Sequence, residues 1–528
     1  MPGARWEPDT CPRRGTGPGS RMRCAVLDLG STSFQLLVTD ATPDGALTHV
    51  LRDRVILNLG AEVASSGRVP DDLLDRALHT VARFRDIAER SGAEAVWTVA
   101  TSAFRDAANQ PWLSKALRGA LGVPIRILGG DEEVLCTVSG IRASVALPPG
   151  RWLAFDLGGG SLEIALVEEE QVLWTGSFPL GAARLARTMV DHDPMSRSER
   201  RELRHVVKDL VAPAVESCGP LEEPTCIIAG GTAGALGRLL AARRWPTPPT
   251  SLNQFEVSVE ALSELSRALC SSSLEERLTL PGIDERRADL LPAGSVVLAT
   301  ALEQFGAGSA VHSEWGLREG VVLREIGAPI PGSPEVLRRG AVDHLAQAWS
   351  TDDGHSGAVR RHADRLFDET KELHDLGEVE RELLGSAARI HDVGTRISPD
   401  KHHKHGAYVV EHAGLRGFSP DEVALMACIV RFQRGSAPRA VYPPFAALVA
   451  SEREACRVLA GILRVAHALG RGGADDVTAI DIARGDDALD ITVEGKNPGR
   501  AADDAAEQAP LLERSLGCSI AFAVRDLG

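Results

Sequence analysis

Two copies of the tripeptide Asp-Leu-Gly have the residue types needed to handle a phosphate group. Each copy follows an apolar strand pattern, and the small-residue turns after Asp28 and Asp156 contain Ser31, Thr32, Gly158, Gly159, Gly160 and Ser161. Glycine and serine allow successive backbone N–H groups to converge on an anion. An aspartate at the strand end would repel that anion unless a hard divalent cation lay between them. Asp28 and Asp156 therefore predict bound Mg²⁺, or Mn²⁺ in its place.

The repetition favours this interpretation over a simple hairpin turn, which would be the better explanation of a single copy. The copies lie 128 residues apart (156 − 28). A P-loop or a dinucleotide fingerprint needs a helix after its glycines. Here the β-rich runs 34–38 and 162–167 follow instead, so both of those nucleotide motifs are disfavoured.

Three further segments contain candidate site residues with open alternatives. Arg105 lies in the first turn of a helix that follows a strand. It either contacts a phosphate bound at the helix N-terminus or is an exposed residue of an ordinary capped helix. Glu133 belongs to an acidic first helical turn, which the helix dipole alone would favour, or it orients a water for attack on phosphorus. Glu163 is either a metal or water ligand or an outward residue of an alternating strand.

A third strand leads into the glycine-rich segment Gly230, Gly231 and Thr232, before a helix predicted at 235–243. Such a turn can hold a ribose, a base or a phosphate, or it can simply allow close packing. The pattern leaves these alternatives open.

Composition narrows the function further. The 528 residues have a formal net charge of −15, which argues against nucleic-acid or membrane partners. A polyanionic substrate would then need a local basic lining or a bound metal. The nine cysteines include no C-x-x-C pair, which indicates reduced thiols in the cytoplasm and no zinc site. No apolar run reaches transmembrane length.

The alternation of strand and helix patterns predicts an α/β protein of several domains. We expect a disordered tail at 1–22, one α/β lobe at 23–145 and a second at 146–328. A mainly helical, histidine-rich domain follows at 335–470, and a small α/β segment at 471–528 contains a polar loop at 497–510. Within the first lobe, one helix is predicted over 103–121.

Together these segments resemble the exopolyphosphatase and guanosine pentaphosphate phosphohydrolase (Ppx/GppA) family of the actin-like ATPase superfamily. The resemblance spans roughly 23–325 and is carried by six motifs in the family order. They begin at Asp28, Thr101, Gly130, Asp156, Arg287 and Gly316. The resemblance implies two ribonuclease-H-like lobes that close on a cleft, with the two Asp-Leu-Gly turns facing each other.

The resemblance also implies roles for individual residues. Glu133 matches the family's catalytic glutamate, and Asp156 and Glu163 match the acids that organise metal and water, with Asp28 as a further metal ligand. Arg105 matches a phosphate-contacting arginine. The phosphate-binding turns match Ser31, Thr32, Gly158, Gly159, Gly160 and Ser161. Thr32 replaces the asparagine of many relatives, and Val134 replaces an alanine.

Residues 335–470 resemble the HD-type domain that follows the lobes in longer exopolyphosphatases. In HD phosphohydrolases a His-Asp pair and flanking histidines hold a divalent metal. The residues that match are His362, His391, Asp392 and His405. Two positions depart from the pattern. Gln433 stands where relatives have His, and His467 stands where HD enzymes often have Asp. We therefore expect a degenerate remnant with a structural or substrate-guiding role, and an active second hydrolase is the alternative.

The leading hypothesis is an Mg²⁺-dependent exopolyphosphatase that releases orthophosphate from the end of inorganic polyphosphate. Hydrolysis of guanosine pentaphosphate at the same site is the nearest alternative, which a guanine-sized pocket near Gly230 would favour. A non-catalytic polyphosphate or nucleotide sensor is the alternative from another class. Family analogy indicates a homodimer.

Overall fold

The computed structural model describes residues 21–349, 353–472, 476–485 and 488–526. Residues 1–20 of the tail predicted at 1–22 lie outside the described residues. The first strand begins at Met22, so the predicted boundary of the tail overlaps that strand by one residue. The chain folds as two compact units, the first comprising 22–248 and 252–337 and the second continuing from Arg338.

The first lobe of the first unit is built on a sheet of order β3-β2-β1-β4-β5. Strands β1 to β3 are antiparallel, whereas β1, β4 and β5 are parallel. Its elements are β1 (Met22–Leu29), β2 (Ser33–Ala41), β3 (Leu47–Ile56), α1 (Leu59–Ser66), α2 (Asp71–Arg90), β4 (Ala95–Ala100), α3 (Ser102–Asp106), α4 (Gln110–Leu121), β5 (Ile125–Ile127) and α5 (Gly130–Arg142).

The single helix predicted over 103–121 is wrong, because the chain is extended at Ala107 between α3 and α4. Pro111, in the first turn of α4, disfavours a helix that runs through it, because proline lacks the backbone N–H and its ring clashes with the preceding turn. The Asn109 side chain adds a long-range contact. Its amide donates to Val69 O at 2.8 Å, and its carbonyl oxygen accepts from Val69 N at 3.0 Å. This long-range pairing holds the segment between the two helices, and Pro111 is the local signal that could have indicated the break.

The second lobe repeats the first. Its sheet order is β10-β11-β9-β6-β7-β8, in which β8-β7-β6-β9-β11 has the same arrangement as the first lobe's five strands. Its elements are β6 (Arg151–Leu157), β7 (Leu162–Glu168), β8 (Gln171–Phe178), α6 (Ala182–Thr188), α7 (Arg197–Cys218), β9 (Thr225–Ala229), α8 (Gly230–Arg244), β10 (Glu256–Ser258), α9 (Val259–Ser271), α10 (Leu274–Leu278), α11 (Leu291–Gln304), β11 (Ser309–His312) and α12 (Leu317–Glu325). The predicted pair of ribonuclease-H-like lobes is confirmed.

Helix α5 connects the cores of the two lobes. Cys136 packs with Val26 and Val99 of the first sheet, whereas Val134 and Val138 pack with the second sheet. The helix is therefore buried on two sides, which places its N-terminal turn between the lobes.

The second unit is mainly helical and ends in a three-stranded sheet of order β12-β13-β14. Its helices and strands, starting with the helix in which the unit begins, are α13 (Pro334–Trp349), α14 (Asp353–Glu369), α15 (Lys371–His374), α16 (Glu378–Ile390), α17 (His402–His412), α18 (Pro420–Phe432), α19 (Pro443–Ala447), α20 (Ala450–Gly470), β12 (Ala479–Arg484), β13 (Ala488–Gly495), α21 (Pro498–Gln508), α22 (Pro510–Leu516) and β14 (Ser519–Asp526). In the part of the chain that the structure describes, no helix combines the length and apolarity needed to cross a bilayer.

The polar loop predicted at 497–510 is wrong, because α21 occupies it. Ala501, Ala502 and Ala505 form a narrow buried stripe that packs into the core of the second unit. Alanine has the highest helix propensity, and the acidic residues between these alanines face solvent. The segment therefore has a polar composition although one face is buried.

Candidate active site

The two Asp-Leu-Gly turns meet face to face between the lobes. A Cβ on Gly159 would overlap the Thr32 side chain, and a Cβ on Gly160 would overlap the hydroxyl of Ser102 and lie 3.1 Å from Ser31 Cβ. These positions need glycine because the backbone of one turn touches side chains of the other. The sequence-predicted turns are thus brought together, as the resemblance implied.

Ser31 is held at the start of α3. Its Oγ lies 2.7 Å from Ser102 Oγ and accepts a hydrogen bond from Ala103 N at 3.2 Å. Thr32 Oγ1 is buried, and it has no hydrogen-bond partner among the described residues. The Thr32 hydroxyl of the first Asp-Leu-Gly turn and the N-terminus of α3 therefore both face the second turn.

The strand register makes the two turns equivalent in position but different in chemistry. Asp28 of β1 lies opposite Gln35 of β2, and Asp156 of β6 lies opposite Glu163 of β7. Each partner follows its aspartate by seven residues in the sequence. The second hairpin therefore adds a carboxylate where the first has an amide.

Glu133 projects from the first turn of α5 and is buried. Arg105 Nη1 donates to its Oε2 at 2.7 Å and also to Leu128 O at 2.7 Å. Burial raises the pKa of Glu133 well above its usual value, and the charges of Glu163 and Asp156 raise it further, against the opposing effect of Arg105. Its carboxylate is thus close to two other acids and one cation.

Two hydroxyl groups that sequence reasoning missed hold the other acids in place. Thr137 Oγ1 donates to Asp156 Oδ2 at 2.9 Å, and Ser177 Oγ donates to Glu163 Oε1 at 2.8 Å. Thr137 follows Glu133 by one helical turn on the same face of α5, which is a local signal that could have identified it. Ser177 lies opposite Glu163 in the sheet, so only the strand pairing reveals it.

The carboxylates fit a divalent cation. Burial raises the pKa of Asp28 to about 7, with a contribution from Asp156, although Arg318 lowers it. Burial and the Asp156 charge likewise raise the pKa of Glu163 to about 7. Asp28 Oδ1 is buried without a hydrogen-bond partner among the described residues. Buried carboxylate oxygens that lack partners match the oxygen ligands preferred by Mg²⁺.

The third glycine segment is the first turn of α8, which begins at Gly230 rather than at the predicted 235. Gly230 has a φ of +91°, and a Cβ there would overlap Asp156 Oδ1. Gly231 packs against the Arg287 guanidinium, and the Thr232 methyl lies against Gly294 of α11. The glycines let α8 begin beside Asp156, whereas Thr232 turns into the lobe core.

Three arginines lie around Asp284 beside this helix. Arg54 Nη2 donates to Asp284 Oδ2 at 3.0 Å, and Arg287 Nε and Arg238 Nη2 lie 3.6 and 3.8 Å from the same oxygen. Burial and the charges of Arg54, Arg238 and Arg318 lower the pKa of Arg287 to about 10, although Asp284 opposes them. Since one carboxylate balances only part of this charge, the group favours a polyanion.

The histidines of the second unit are arranged differently from the prediction. His391 and Asp392 form a cluster with His355 of α14 and His467 of α20. His362 is buried in α14, and His405 is half-buried in α17. Neither belongs to the cluster. His467 stands at the position where HD enzymes often have Asp, and His355 is a candidate ligand that the sequence analysis did not name.

Buried acids beside two facing glycine- and serine-lined turns, carried on duplicated ribonuclease-H-like lobes, define a phosphoryl-group-handling enzyme of the actin-like class. The model of the Ppx/GppA phosphatase family matches residues 38–328, and that of Ppx/GppA phosphatase, domain III, matches 337–515.

Curated relatives agree with this class. Exopolyphosphatase 1 of Mycobacterium tuberculosis is 30% identical over 313 residues, which cover 59% of this chain and 90% of the relative. Exopolyphosphatase 1 of Mycobacterium leprae is 29% identical over 59% of this chain and 92% of the relative.

Solved structures are similar over the first unit. An exopolyphosphatase from Cytophaga hutchinsonii is 26% identical with a TM-score of 0.54, covering 58% of this chain and 99% of that chain. The Ppx/GppA family member of Aquifex aeolicus is 25% identical with a TM-score of 0.51, covering 58% and 98%. The chain belongs to the Ppx/GppA phosphatase family, and the predicted class of phosphoanhydride hydrolase is confirmed.

Proposed function

We propose that the first unit is an exopolyphosphatase that hydrolyses the terminal phosphoanhydride bond of inorganic polyphosphate. The observation that carries the proposal is the convergence of Glu133, Asp156 and Glu163 beside the facing turns. These acids influence one another's pKa, so they lie within electrostatic reach of one reaction centre. The names of the mycobacterial relatives support polyphosphate as the substrate class.

In the proposed reaction, Glu133 accepts a proton from a water molecule as the water oxygen forms a bond to the terminal phosphorus. The bond from that phosphorus to the bridging oxygen breaks, which releases orthophosphate and a chain shorter by one phosphate. The raised pKa makes the Glu133 carboxylate a stronger base than an ordinary glutamate. Arg105 lies at Glu133, where its guanidinium can also reach a phosphate oxygen.

Asp28, Asp156 and Glu163 would hold Mg²⁺ or Mn²⁺. A bound divalent ion supplies neutralisation of the phosphate charge and orientation of the water. Thr137 and Ser177 orient the carboxylates of Asp156 and Glu163. The hydroxyls of Ser31 and Ser102 and the glycine backbone of the second turn receive the phosphate oxygens.

The three arginines around Asp284 support a long polyanion over a nucleotide. Arg54 belongs to the first lobe, whereas Arg238 and Arg287 belong to the second, so the group continues the cleft with positive charge. The Arg287 guanidinium packs against Gly231, where a guanine pocket was the sequence-based sign of a guanosine pentaphosphate hydrolase. The cytoplasmic location and the homodimer remain predictions within this proposal.

The test is orthophosphate release by the purified full-length chain with long-chain polyphosphate, short-chain polyphosphate and guanosine pentaphosphate, each with Mg²⁺, Mn²⁺ or a chelator. We expect the highest kcat/KM on long-chain polyphosphate and no release with the chelator. A higher kcat/KM on guanosine pentaphosphate would favour the alternative substrate. Binding of polyphosphate without any release, under all metal conditions, would favour the sensor.

A further inference from the structure

The second unit contains a cluster of metal-ligating side chains that the hydrolysis above does not use. One ligand atom each of His355, His391, Asp392 and His467 lies within 4.8 Å of the other three. The imidazole centroids of the three histidines are 5.2 to 5.6 Å apart, so the rings surround one point. The ligands come from helix α14, the end of α16 and helix α20, which all pack in one core.

The hydrogen bonds of the rings select the tautomer that a metal needs. His391 Nδ1 lies 2.7 Å from Ala388 O, and His355 Nδ1 lies 2.9 Å from Gly470 O. A carbonyl oxygen only accepts, so each Nδ1 carries the hydrogen and the neutral ring presents the Nε2 lone pair to the cluster. Metal-binding histidines typically use their second nitrogen in this way.

The Nε2 atoms face a carboxylate rather than a donor. His391 Nε2 and His355 Nε2 lie 3.3 and 3.4 Å from Asp392 Oδ2. These separations exceed the usual N–H···O distance of about 2.9 Å. They match the spacing of about 3.3 Å between ligands that share a tetrahedral ion at 2.0–2.1 Å from each. His391 Nε2 is buried, and it has no hydrogen-bond partner among the described residues.

The surroundings would admit an ion and hold it. The His391 side chain is 0% exposed, whereas Asp392 keeps 26% of its side-chain surface, so the cluster opens to solvent at the carboxylate. His402 Nε2 lies 3.4 Å from the other carboxylate oxygen, Oδ1, and neither atom has a hydrogen-bond partner among the described residues. Gln433 Nε2 donates to His391 O at 2.7 Å and holds the backbone of the His-Asp pair.

We propose that His355, His391, Asp392 and His467 bind one divalent transition-metal ion in the second unit. Three imidazoles and one carboxylate suit Zn²⁺, Fe²⁺ or Co²⁺ and not Mg²⁺, which prefers oxygen ligands. The site replaces the degenerate remnant expected from His362 and His405. It is separate from the carboxylates of the first unit, so it stands independently of the proposed hydrolysis.

The test uses the full-length chain, stripped with a chelator and dialysed against Zn²⁺ in a large excess of Mg²⁺ that saturates oxygen-ligand sites. We expect the wild type to retain about one more equivalent of Zn²⁺ than His355→Ala or His467→Ala. His467→Asp keeps a metal ligand at this position, so it should bind the metal that His467→Ala loses. His412→Ala, which changes an exposed histidine of α17, should bind as the wild type does.

Co²⁺ provides a readout that does not depend on the variants folding. The visible spectrum of the Co²⁺-loaded wild type should show the intense bands of a nitrogen-ligated, four-coordinate ion. A wild type that takes up neither Zn²⁺ nor Co²⁺ in the presence of Mg²⁺ would overturn the proposal. So would equal uptake by the wild type and a folded His467→Ala variant.

Discussion

Arg105 Nη1 donates a hydrogen bond to Glu133 Oε2 at 2.7 Å, so the guanidinium expected to contact phosphate is paired with the proposed general base. The pair joins α3 to α5 and places one positive charge beside a group of buried acids. A bound phosphate would therefore compete with the Glu133 carboxylate for the hydrogen bonds of Arg105. This coupling predicts that Arg105 controls the protonation of Glu133.

Replacement of Arg105 by Gln should move the acidic limb of the activity profile to higher pH. Arg105 lowers the pKa of Glu133, so its removal raises that pKa further. A base accepts a proton only when it is deprotonated, and a higher pKa delays deprotonation to higher pH. The measurement is kcat/KM on polyphosphate against pH, with the exposed Arg118→Gln of α4 as the control. An acidic limb that stays in place would contradict the coupling.

Removal of the hydroxyls that orient the acids should weaken metal use. Thr137→Val removes the donor to Asp156, and Ser177→Ala removes the donor to Glu163. Groups that orient metal ligands are worth about 10- to 100-fold in affinity or activity. We expect a loss of this size in kcat and a higher Mg²⁺ concentration for half-maximal activity. Thr188→Val, which removes an exposed hydroxyl bonded within its own helix, is the matched control and should have no effect.

The arginine group should act on substrate binding rather than on the chemical step. Arg238 is 49% exposed and lies at the edge of the group, so Arg238→Gln should leave the lobe folded. We expect a higher KM for long-chain polyphosphate, a nearly unchanged kcat and a weaker dependence on salt. Arg243→Gln, at an exposed position of the same helix, provides the comparison. Equal KM values for the two variants would exclude this path for the polyanion.

Arg338 should stabilise the second unit. Its guanidinium donates to Glu382 at 2.8 Å and to Glu422 at 2.9 Å, and it lies 4.0 Å from the centre of the Phe418 ring. Arg338→Met leaves both carboxylates without their partner, which should cost about 3 kcal/mol. Hydrogen exchange of α18, measured by mass spectrometry, should become faster than in the Arg339→Met control. Unchanged protection of α18 would show that the ion pairs contribute little.

The sequence was sufficient where function depends on contiguous residues. The Asp28 and Asp156 turns and the acidic start of α5 are local patterns, and the strand periods around them define the duplicated lobes. The family resemblance implied the pair of lobes, whereas the strand order within each lobe was seen only in the structure. The local patterns identified the candidate acids, but their proximity to one another is visible only in the structure.

The sequence was insufficient where distant segments meet. Ser177 reaches Glu163 only through the pairing of β7 and β8, and the Asn109 side chain pairs with the Val69 backbone 40 residues earlier. His355 was missed in favour of His362 because both lie on α14, and only the packing of α20 against it distinguishes them. Such contacts depend on the tertiary structure and leave no periodic signal in the chain.

The central claim is that Glu133 accepts the proton of the attacking water. The measurement is kcat for orthophosphate release from long-chain polyphosphate by Glu133→Gln, with Glu132→Gln of the same helical turn as the control. Glutamine keeps the shape but not the basicity, so we predict a loss of about 10²- to 10⁴-fold for Glu133→Gln. Glu132 pairs with Arg126 outside the cluster of acids, and its variant should stay near the wild-type rate. A Glu133→Gln variant as active as Glu132→Gln would contradict the account.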